Sequence, residues 1–243
     1  MSIRAAALLA FLSPAAFGAP AEGDHPSLTS DGLIQDAGGA LLKIPEARRT
    51  VLVAGRVFGW DKERGWGPKG PLGDAERAAV RRAVEEFNKL ELSLKLDYAE
   101  SDDAGLSLAN LWRNRDKLVV YWAEDAPEGG LGRPYQWRGG SYITGCSTVI
   151  RDRDGRHSYR SNAQVPEGAE IAGGMMFMVE LTPRLRTQFK CKEDGPVYVA
   201  LHELGHCLGL GHRTPAPSIM HGTCGTAYLP NDADNFRRLY GAK

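Results

Sequence analysis

Three histidines and one glutamate lie within eleven residues, in the segment HELGHCLGLGH from His202 to His212. His202 and His206 are four residues apart, so on a helix they project from one face, one turn apart. His212 can join them only if the chain turns back, and Gly209 stands where that turn would begin. The spacing therefore predicts that three imidazoles converge on one point.

Three histidines are a suitable ligand set for one catalytic Zn²⁺ ion, whose fourth position is left for water. Glu203 follows the first ligand and points about 100° around the helix, toward the open position rather than onto the metal. We expect Glu203 to act as general base on a zinc-activated water and then as general acid to the leaving amine. This chemistry is hydrolysis of a peptide bond without a covalent enzyme intermediate.

The length of the motif makes a chance match a poor explanation. His-Glu-x-x-His alone can arise by chance, but the extended form has a chance expectation on the order of 10⁻⁵ to 10⁻⁴ in a chain of this composition. A structural zinc is also disfavoured, because three ligands without a fourth Cys or His nearby leave the site open.

An apolar helix is predicted to carry His202 and His206. Asp194 or Gly195 can cap this helix, and Pro196 suits its first turn. Its buried stripe would consist of Val197, Ala200, Leu201, Leu204 and Leu208. Such a stripe beside two histidines indicates a helix along the floor of a cleft.

Earlier in the chain, strand and helix patterns alternate. Asp74 is a predicted N-cap, and apolar residues at three- and four-residue steps predict a helix that ends near Asn88. Residues 65–73, rich in Gly and Pro, are predicted to form a loop. Strands are predicted from Val51 onward, at Leu92–Tyr98, Lys117–Trp122, Ser147–Ile150 and Met175–Leu181, with a short helical stretch at Leu106–Trp112.

The N-terminus has the order of a secretory signal peptide. Arg4 precedes an apolar run at 5–12, and small residues and prolines continue through Ala21. The run is too short to span a bilayer, and no later segment is long enough. We therefore predict secretion, extracellular or periplasmic, with a signal peptide at 1–21, a loose leader or short pro-segment at 22–50 and a catalytic domain at 51–243.

Composition argues against several kinds of partner. The chain has 30 basic and 30 acidic residues and a formal net charge of zero. Such a balance favours neither nucleic acid nor an anionic membrane surface. We expect a protein or peptide substrate, no membrane span and a monomer.

Export would allow the four cysteines to form two disulfides, because oxidising compartments preserve such bonds. Three connectivities exist, and the sequence alone does not decide among them. We favour Cys207 with Cys224, since both flank the proposed metal loop, which leaves Cys146 with Cys191. A role as zinc ligands is disfavoured, because the chain has no Cys-x-x-Cys pair.

Two other stretches allow more than one interpretation. Asp152, Asp154 and His157 could hold calcium or a second zinc ion, but a solvated turn is favoured because the full calcium-loop pattern is absent. Calcium is therefore unsupported. Residues 127–140 are either a surface loop or an edge strand that accepts a substrate backbone by strand addition.

The motif, followed by Met220 eight residues after His212, resembles the metzincin metalloproteases. The short spacing between these two residues is similar to that of the matrixin branch. The resemblance implies that Met220 supports the metal site from below without binding the metal, and His221 is interpreted as a turn residue. It also implies a C-terminal helix, capped by Asn231 or Asp232, with Phe236, Leu239 and Tyr240 facing inward.

The chain also departs from its relatives. No cysteine precedes Cys146, so a pro-segment cysteine cannot block the zinc, and Gly222 stands where astacins have a tyrosine near the metal. Cys207 and Cys224 are not typical of matrixins, and they suggest a disulfide-braced, bacterial-style secreted member.

The fold implied is α+β, a metzincin (zincin) fold whose upper, α/β-like subdomain has a twisted, mostly parallel sheet and the active-site helix. The lower part would be irregular from Gly211 through the turn at Ser218–Met220, called the Met-turn, to the C-terminal helix. The expected function is a secreted zinc endopeptidase. Two alternatives stay open: a catalytically silent binding protein on the same scaffold, and a zinc amidase acting on cell-wall peptides.

Overall fold

The computed structural model describes residues 27–61, 65–106, 112–123, 145–159, 164–179 and 195–241. The predicted signal peptide, Cys191, Asp194 and the stretch 127–140 lie outside these residues. The strands are β1 (Arg48–Asp61), β2 (Gly65–Pro71), β3 (Lys95–Ser101), β4 (Leu118–Ala123), β5 (Gly145–Arg151), β6 (His157–Tyr159) and β7 (Glu170–Val179). The helices are α1 (Asp74–Asn88), α2 (Gly195–Cys207) and α3 (Pro230–Tyr240).

All seven of these strands belong to one mixed sheet. Strands β3, β1, β4 and β7 run parallel to one another through its centre. Strands β2, β5 and β6 pair antiparallel around them, and the order is β2-β1-β4-β7-β5-β6, with β3 beside the first half of β1. This arrangement, with the three α-helices of the described residues, confirms the predicted α+β fold.

Alternation along the central strands sends side chains to two faces of the sheet. On one face, Val53, Val120 and Met176 join the main core with residues of α1 and α2. On the other face, Tyr121 and Phe177 belong to a smaller cluster. Both helices therefore pack on one side of the sheet and against each other, so α2 has a rigid support along its length.

Several local predictions are confirmed and others need correction. The first helix ends at Asn88 as predicted, but Gly73 occupies its N-cap position, and Asp74 is the first helical residue. Residues 65–71 form β2 rather than a loop, because the backbone of this Gly- and Pro-rich segment pairs with β1 without any side-chain pattern. The strand predicted at 92–98 is shifted to β3. Most of the helical stretch predicted at Leu106–Trp112 lies outside the described residues, and a 3₁₀ turn over Ala104–Leu106 precedes it.

Residues 27–44, which belong to the predicted leader or pro-segment, pack against the main core. Five apolar side chains of this segment belong to the main core, each at most 7% exposed: Leu28, Leu33, Ile34, Leu42 and Ile44. The sequence did not predict that this segment joins the core, because its apolar residues follow neither a helical nor a strand period. Among the described residues, no helix is both long and apolar enough to cross a membrane.

Candidate metal centre

The Nε2 atoms of three histidines converge on one point. They lie 3.2 Å apart between His202 and His206, 3.1 Å between His202 and His212, and 2.9 Å between His206 and His212. Three tetrahedral ligands at zinc–nitrogen distances of 2.0–2.1 Å would be about 3.3 Å apart. The spacing predicted from the sequence is therefore present, and its dimensions fit a zinc ion.

Carbonyl groups fix which nitrogen of each ring faces the centre. His202 Nδ1 lies 3.0 Å from the carbonyl of Ile219, and His206 Nδ1 lies 2.8 Å from that of Leu210. A carbonyl oxygen can only accept a hydrogen bond, so in both rings Nδ1 carries the proton and is the donor. Nε2 of each ring then presents a lone pair to the centre, which is the form that binds a metal.

The environment of His202 keeps its imidazole neutral. Burial, and then neighbouring His212, lower the pKa of His202 to about 4 against the opposing effect of the hydrogen bond to the Ile219 carbonyl. A neutral imidazole is the ligand that zinc requires. Converging lone pairs at about 3 Å repel one another unless a cation lies between them. The donor set therefore fits a bound metal ion better than a set of ordinary hydrogen bonds.

The turn between the second and third histidine is a Schellman motif. The N–H of Gly209 donates to the carbonyl of His206 at 3.1 Å, and that of Leu210 donates to Gly205 at 2.9 Å. Gly209 has φ +106°, and a Cβ there would lie 2.9 Å from the carbonyl oxygen of Leu42. Glycine is therefore required by both conformation and space, and the turn brings His212 back over α2.

Met220 lies under α2 in a buried turn. It is 1% exposed, and its sulfur approaches Gly205 so closely that a Cβ on that glycine would be 2.5 Å away. The N–H of His221 donates to the carbonyl of Ser218 at 3.2 Å, and the His221 side chain is exposed, consistent with a turn residue. Sequence analysis missed Gly205, although a lone glycine inside a helix costs stability and signals a packing reason.

Buried Asp232 holds this turn in place. Its carboxylate accepts hydrogen bonds from the Ser218 hydroxyl and from the N–H groups of Ile219 and Leu229. Leu229 is the N-cap residue of α3, and Asp232 lies in the first turn, so neither Asn231 nor Asp232 is the cap itself. The predicted inward residues of α3, Phe236, Leu239 and Tyr240, are all buried.

Glu203 follows His202 in α2 and is 4% exposed. One helical step places its side chain about 100° from that of the histidine. Tyr198, one turn earlier, has a ring 5.9 Å from that of His202. Burial, and then the charges of Glu203 and Asp232, raise the pKa of Tyr198 to about 12, so its phenol stays protonated.

The family model for matrixins matches residues 74–241, well over half of the chain. The chain belongs to the matrixin family. Matrixins are zinc metallopeptidases, so the three histidines of this matrixin are the residues that could hold the family's zinc ion. A search among curated proteins returned no match.

The disulfide favoured from the sequence is wrong in this matrixin. Cys207 is bonded to Cys146, with 5.7 Å between their Cα atoms, instead of to Cys224. Strand β5 passes beside the end of α2, where Thr148 also donates to the carbonyl of His206 at 3.1 Å. Proximity to β5 decides the pairing, and this proximity is invisible in the sequence. Cys224 is disulfide-bonded as well.

The acidic stretch near residue 154 forms a turn. Asp152 accepts hydrogen bonds from the N–H groups of Asp154 and Arg156, and His157 lies 2.5 Å from a carboxylate oxygen of Asp116. Within the described ranges, the one group of His, Cys, Asp or Glu side chains close enough to share a metal is the histidine triad. The solvated turn is therefore the better interpretation of this stretch.

Proposed function

We propose that this matrixin is a secreted endopeptidase that acts as a monomer on proteins or peptides, with one Zn²⁺ on His202, His206 and His212. The observation that carries the proposal is the convergence of three Nε2 atoms within 2.9–3.2 Å of one another. Such an arrangement leaves a tetrahedral ion one open position, as hydrolytic sites require.

When bound, zinc supplies Lewis acidity, which polarises a substrate carbonyl and makes a water molecule easier to deprotonate. The chain must supply the proton transfers. We assign them to Glu203, because it follows a proposed ligand by one helical step of about 100° and lies in a buried part of α2. Its carboxylate would accept the proton of the attacking water and deliver it to the leaving nitrogen.

The carbonyls of Ile219 and Leu210 would support this role indirectly. By accepting from Nδ1 of His202 and His206, they orient both rings and increase the electron density at Nε2. Thr148 and the Cys146–Cys207 bond hold the end of α2 against β5. The ligands are thus fixed before the metal arrives, which limits the ordering cost of binding.

The test compares Glu203→Gln and Glu203→Ala with wild type on a diverse peptide library. A matched control is Glu85→Gln, an exposed glutamate on α1. We expect both Glu203 variants to keep one zinc per chain, measured by elemental analysis, and to lose nearly all internal cleavage. The control should retain both properties. Cleavage by the Glu203 variants at wild-type rate would exclude the assigned role.

A chelator arm separates the alternatives. Chelator-sensitive cleavage within peptides supports the endopeptidase, whereas bound zinc without any cleavage supports a binding protein. Release of products only from cell-wall peptides supports an amidase.

Secretion is proposed from the signal-like residues 1–21, and the disulfide between Cys146 and Cys207 supports an oxidising compartment. The measurement is N-terminal sequencing of protein recovered from the medium or periplasm. Cleavage could follow Gly18 or Ala21, because each has an alanine two positions before it. A product that begins after either residue agrees with the proposal, and retention of the whole chain in the cytoplasm contradicts it.

A further inference from the structure

Residues 27–44, called here the N-terminal brace, lie against the turn that connects the second and third histidines. The N–H of Ile34 donates to the carbonyl of Gly209 at 3.0 Å, and the N–H of Gly211 donates to the carbonyl of Gly32 at 2.6 Å. Leu33 and Leu210 thereby form an antiparallel bridge. The turn thus has a backbone partner outside the zinc-binding motif.

Side chains of the brace close the space around this turn. Leu28 approaches Gly211 so closely that a Cβ on the glycine would lie 2.8 Å from its Cδ2. The backbone carbonyl oxygen of Leu42 likewise lies only 2.9 Å from where a Cβ on Gly209 would be. Leu33 and Ile34 are completely buried. The two glycines that flank Leu210 therefore have little freedom to move while the brace is in place.

The brace is itself fastened to the rest of the domain at several points. Asp31 pairs with Arg238 of α3, and its carbonyl accepts from Asn235 at 3.0 Å. Asp36 accepts from the N–H of Gly168 at 2.6 Å, just before β7. The brace therefore connects α3 and the sheet to the metal-binding turn.

We propose that the brace is a permanent part of the metal centre. It holds the Gly209–Gly211 turn at the position that directs His212 Nε2 toward the other two ligands, and it thereby increases the affinity of the site for zinc. The residues of the brace are positioning residues, because none of them belongs to the triad. This inference rests on the proposed zinc site and is independent of the role of Glu203.

Two glycines of the brace provide a matched pair for the test. Gly32 has φ +87°, and a Cβ there would lie 2.5 Å from the backbone nitrogen of Thr214 and 3.0 Å from the carbonyl oxygen of Gly211. Gly39 has φ +81°, and a Cβ there would meet nothing within 4 Å. At both positions alanine would have to adopt a left-handed backbone conformation, at a similar energetic cost. Only Gly32→Ala must also displace backbone next to His212.

The measurement is the zinc dissociation constant of each full-length variant, from competition with a chromophoric chelator, with circular dichroism as the check on folding. We expect Gly32→Ala to weaken zinc binding at least tenfold more than Gly39→Ala does. Equal affinities in two folded variants would overturn the proposal. A wild-type protein that binds no zinc would instead refute the proposed function, so the two failures are distinguishable.

A second measurement does not depend on the folding of a variant. If the brace is permanent, N-terminal sequencing of the purified, zinc-loaded protein will find residues 27–44 retained. A stable zinc-loaded form that begins at or after Arg48, as expected for removal of a pro-segment, would overturn the proposal.

Discussion

The Asp232 carboxylate in α3 accepts a hydrogen bond from the Ser218 hydroxyl at 2.5 Å, and so ties the C-terminal helix to the Met-turn. The same carboxylate accepts from the N–H of Ile219 at 2.8 Å. The carbonyl of Ile219 in turn lies 3.0 Å from Nδ1 of His202. A continuous chain of polar contacts therefore runs from α3 to His202, the first of the proposed zinc ligands.

Asp232→Asn is expected to weaken this connection. The amide would lose the charge that strengthens three hydrogen bonds and would turn an N–H₂ group toward N–H donors. Hydrogen bonds to charged groups contribute about 1.5–3 kcal/mol each and those between neutral groups about 0.5–1.5, so loss of the charge from three bonds should lower the free energy of unfolding by about 3–4.5 kcal/mol. Urea denaturation of the metal-free protein measures this loss.

The matched control is Asp234→Asn in the same helix. The Asp234 side chain is 69% exposed and pairs with Arg237, so its replacement should change stability by less than about 0.5 kcal/mol. Equal unfolding midpoints for the two variants would show that the buried carboxylate does not stabilise the Met-turn.

Gly209→Ala is expected to disrupt the return of His212. Alanine would have to adopt the same φ of +106°, which L residues rarely do, and its Cβ would lie 2.9 Å from the Leu42 carbonyl oxygen. We expect loss of at least tenfold in zinc affinity, measured by chelator competition. Gly155→Ala is the control, because Gly155 has φ +77° and open space where a Cβ would stand. Similar zinc affinities for both variants would contradict the need for glycine in the turn.

A feature of the site could be predicted from the sequence when residues close together in the chain determine it, and could not when it depends on distant segments. The convergence of His202 and His206 follows from helical periodicity, and Gly209 is a local turn requirement, so both were predictable. The partner of Cys207 depends on the placement of β5, which no local pattern encodes. The bonds of Asp232 to the Met-turn likewise depend on packing between segments more than ten residues apart.

The same distinction explains the errors in the fold. The apolar run of β4 is unbroken because both of its faces are buried, and its position was predicted to within one residue. Strand β2 is held by backbone hydrogen bonds to β1, which leave no pattern in the side chains. Its Gly and Pro residues were therefore interpreted as a loop. The brace has apolar residues without a period, because each contacts a different part of the core.

The disulfide connectivity provides a further prediction. Peptide mapping without reduction should recover Cys146 linked to Cys207, which leaves Cys191 as the remaining cysteine of the chain for Cys224. A Cys207–Cys224 peptide would contradict the structure. In the chain-entropy model, a bond across 61 residues contributes about 4 kcal/mol to stability. The double variant Cys146→Ala/Cys207→Ala should lose most of this amount in urea denaturation.

Asp36 gives the brace a defined dependence on pH. Burial alone would raise the pKa of Asp36, but hydrogen bonds from the N–H groups of Gly168, Ala40 and Gly38, with the charge of Arg153, lower it below the ordinary value of 3.8. The folded protein therefore holds this proton less tightly than the unfolded chain does. The contribution of Asp36 to stability is complete above pH 3.8 and is lost as the pH falls through its lower, folded pKa.

The measurement is the difference in unfolding free energy between wild type and Asp36→Asn in the metal-free protein, from neutral pH down to about pH 3. We expect a constant destabilisation of the variant above about pH 5, which shrinks as acid protonates Asp36 in the wild type. Asp234→Asn, which removes an exposed carboxylate of the C-terminal helix, should show little difference at neutral pH. A destabilisation by Asp36→Asn that does not change with pH would mean that the Asp36 carboxylate does not fasten the brace through its charge.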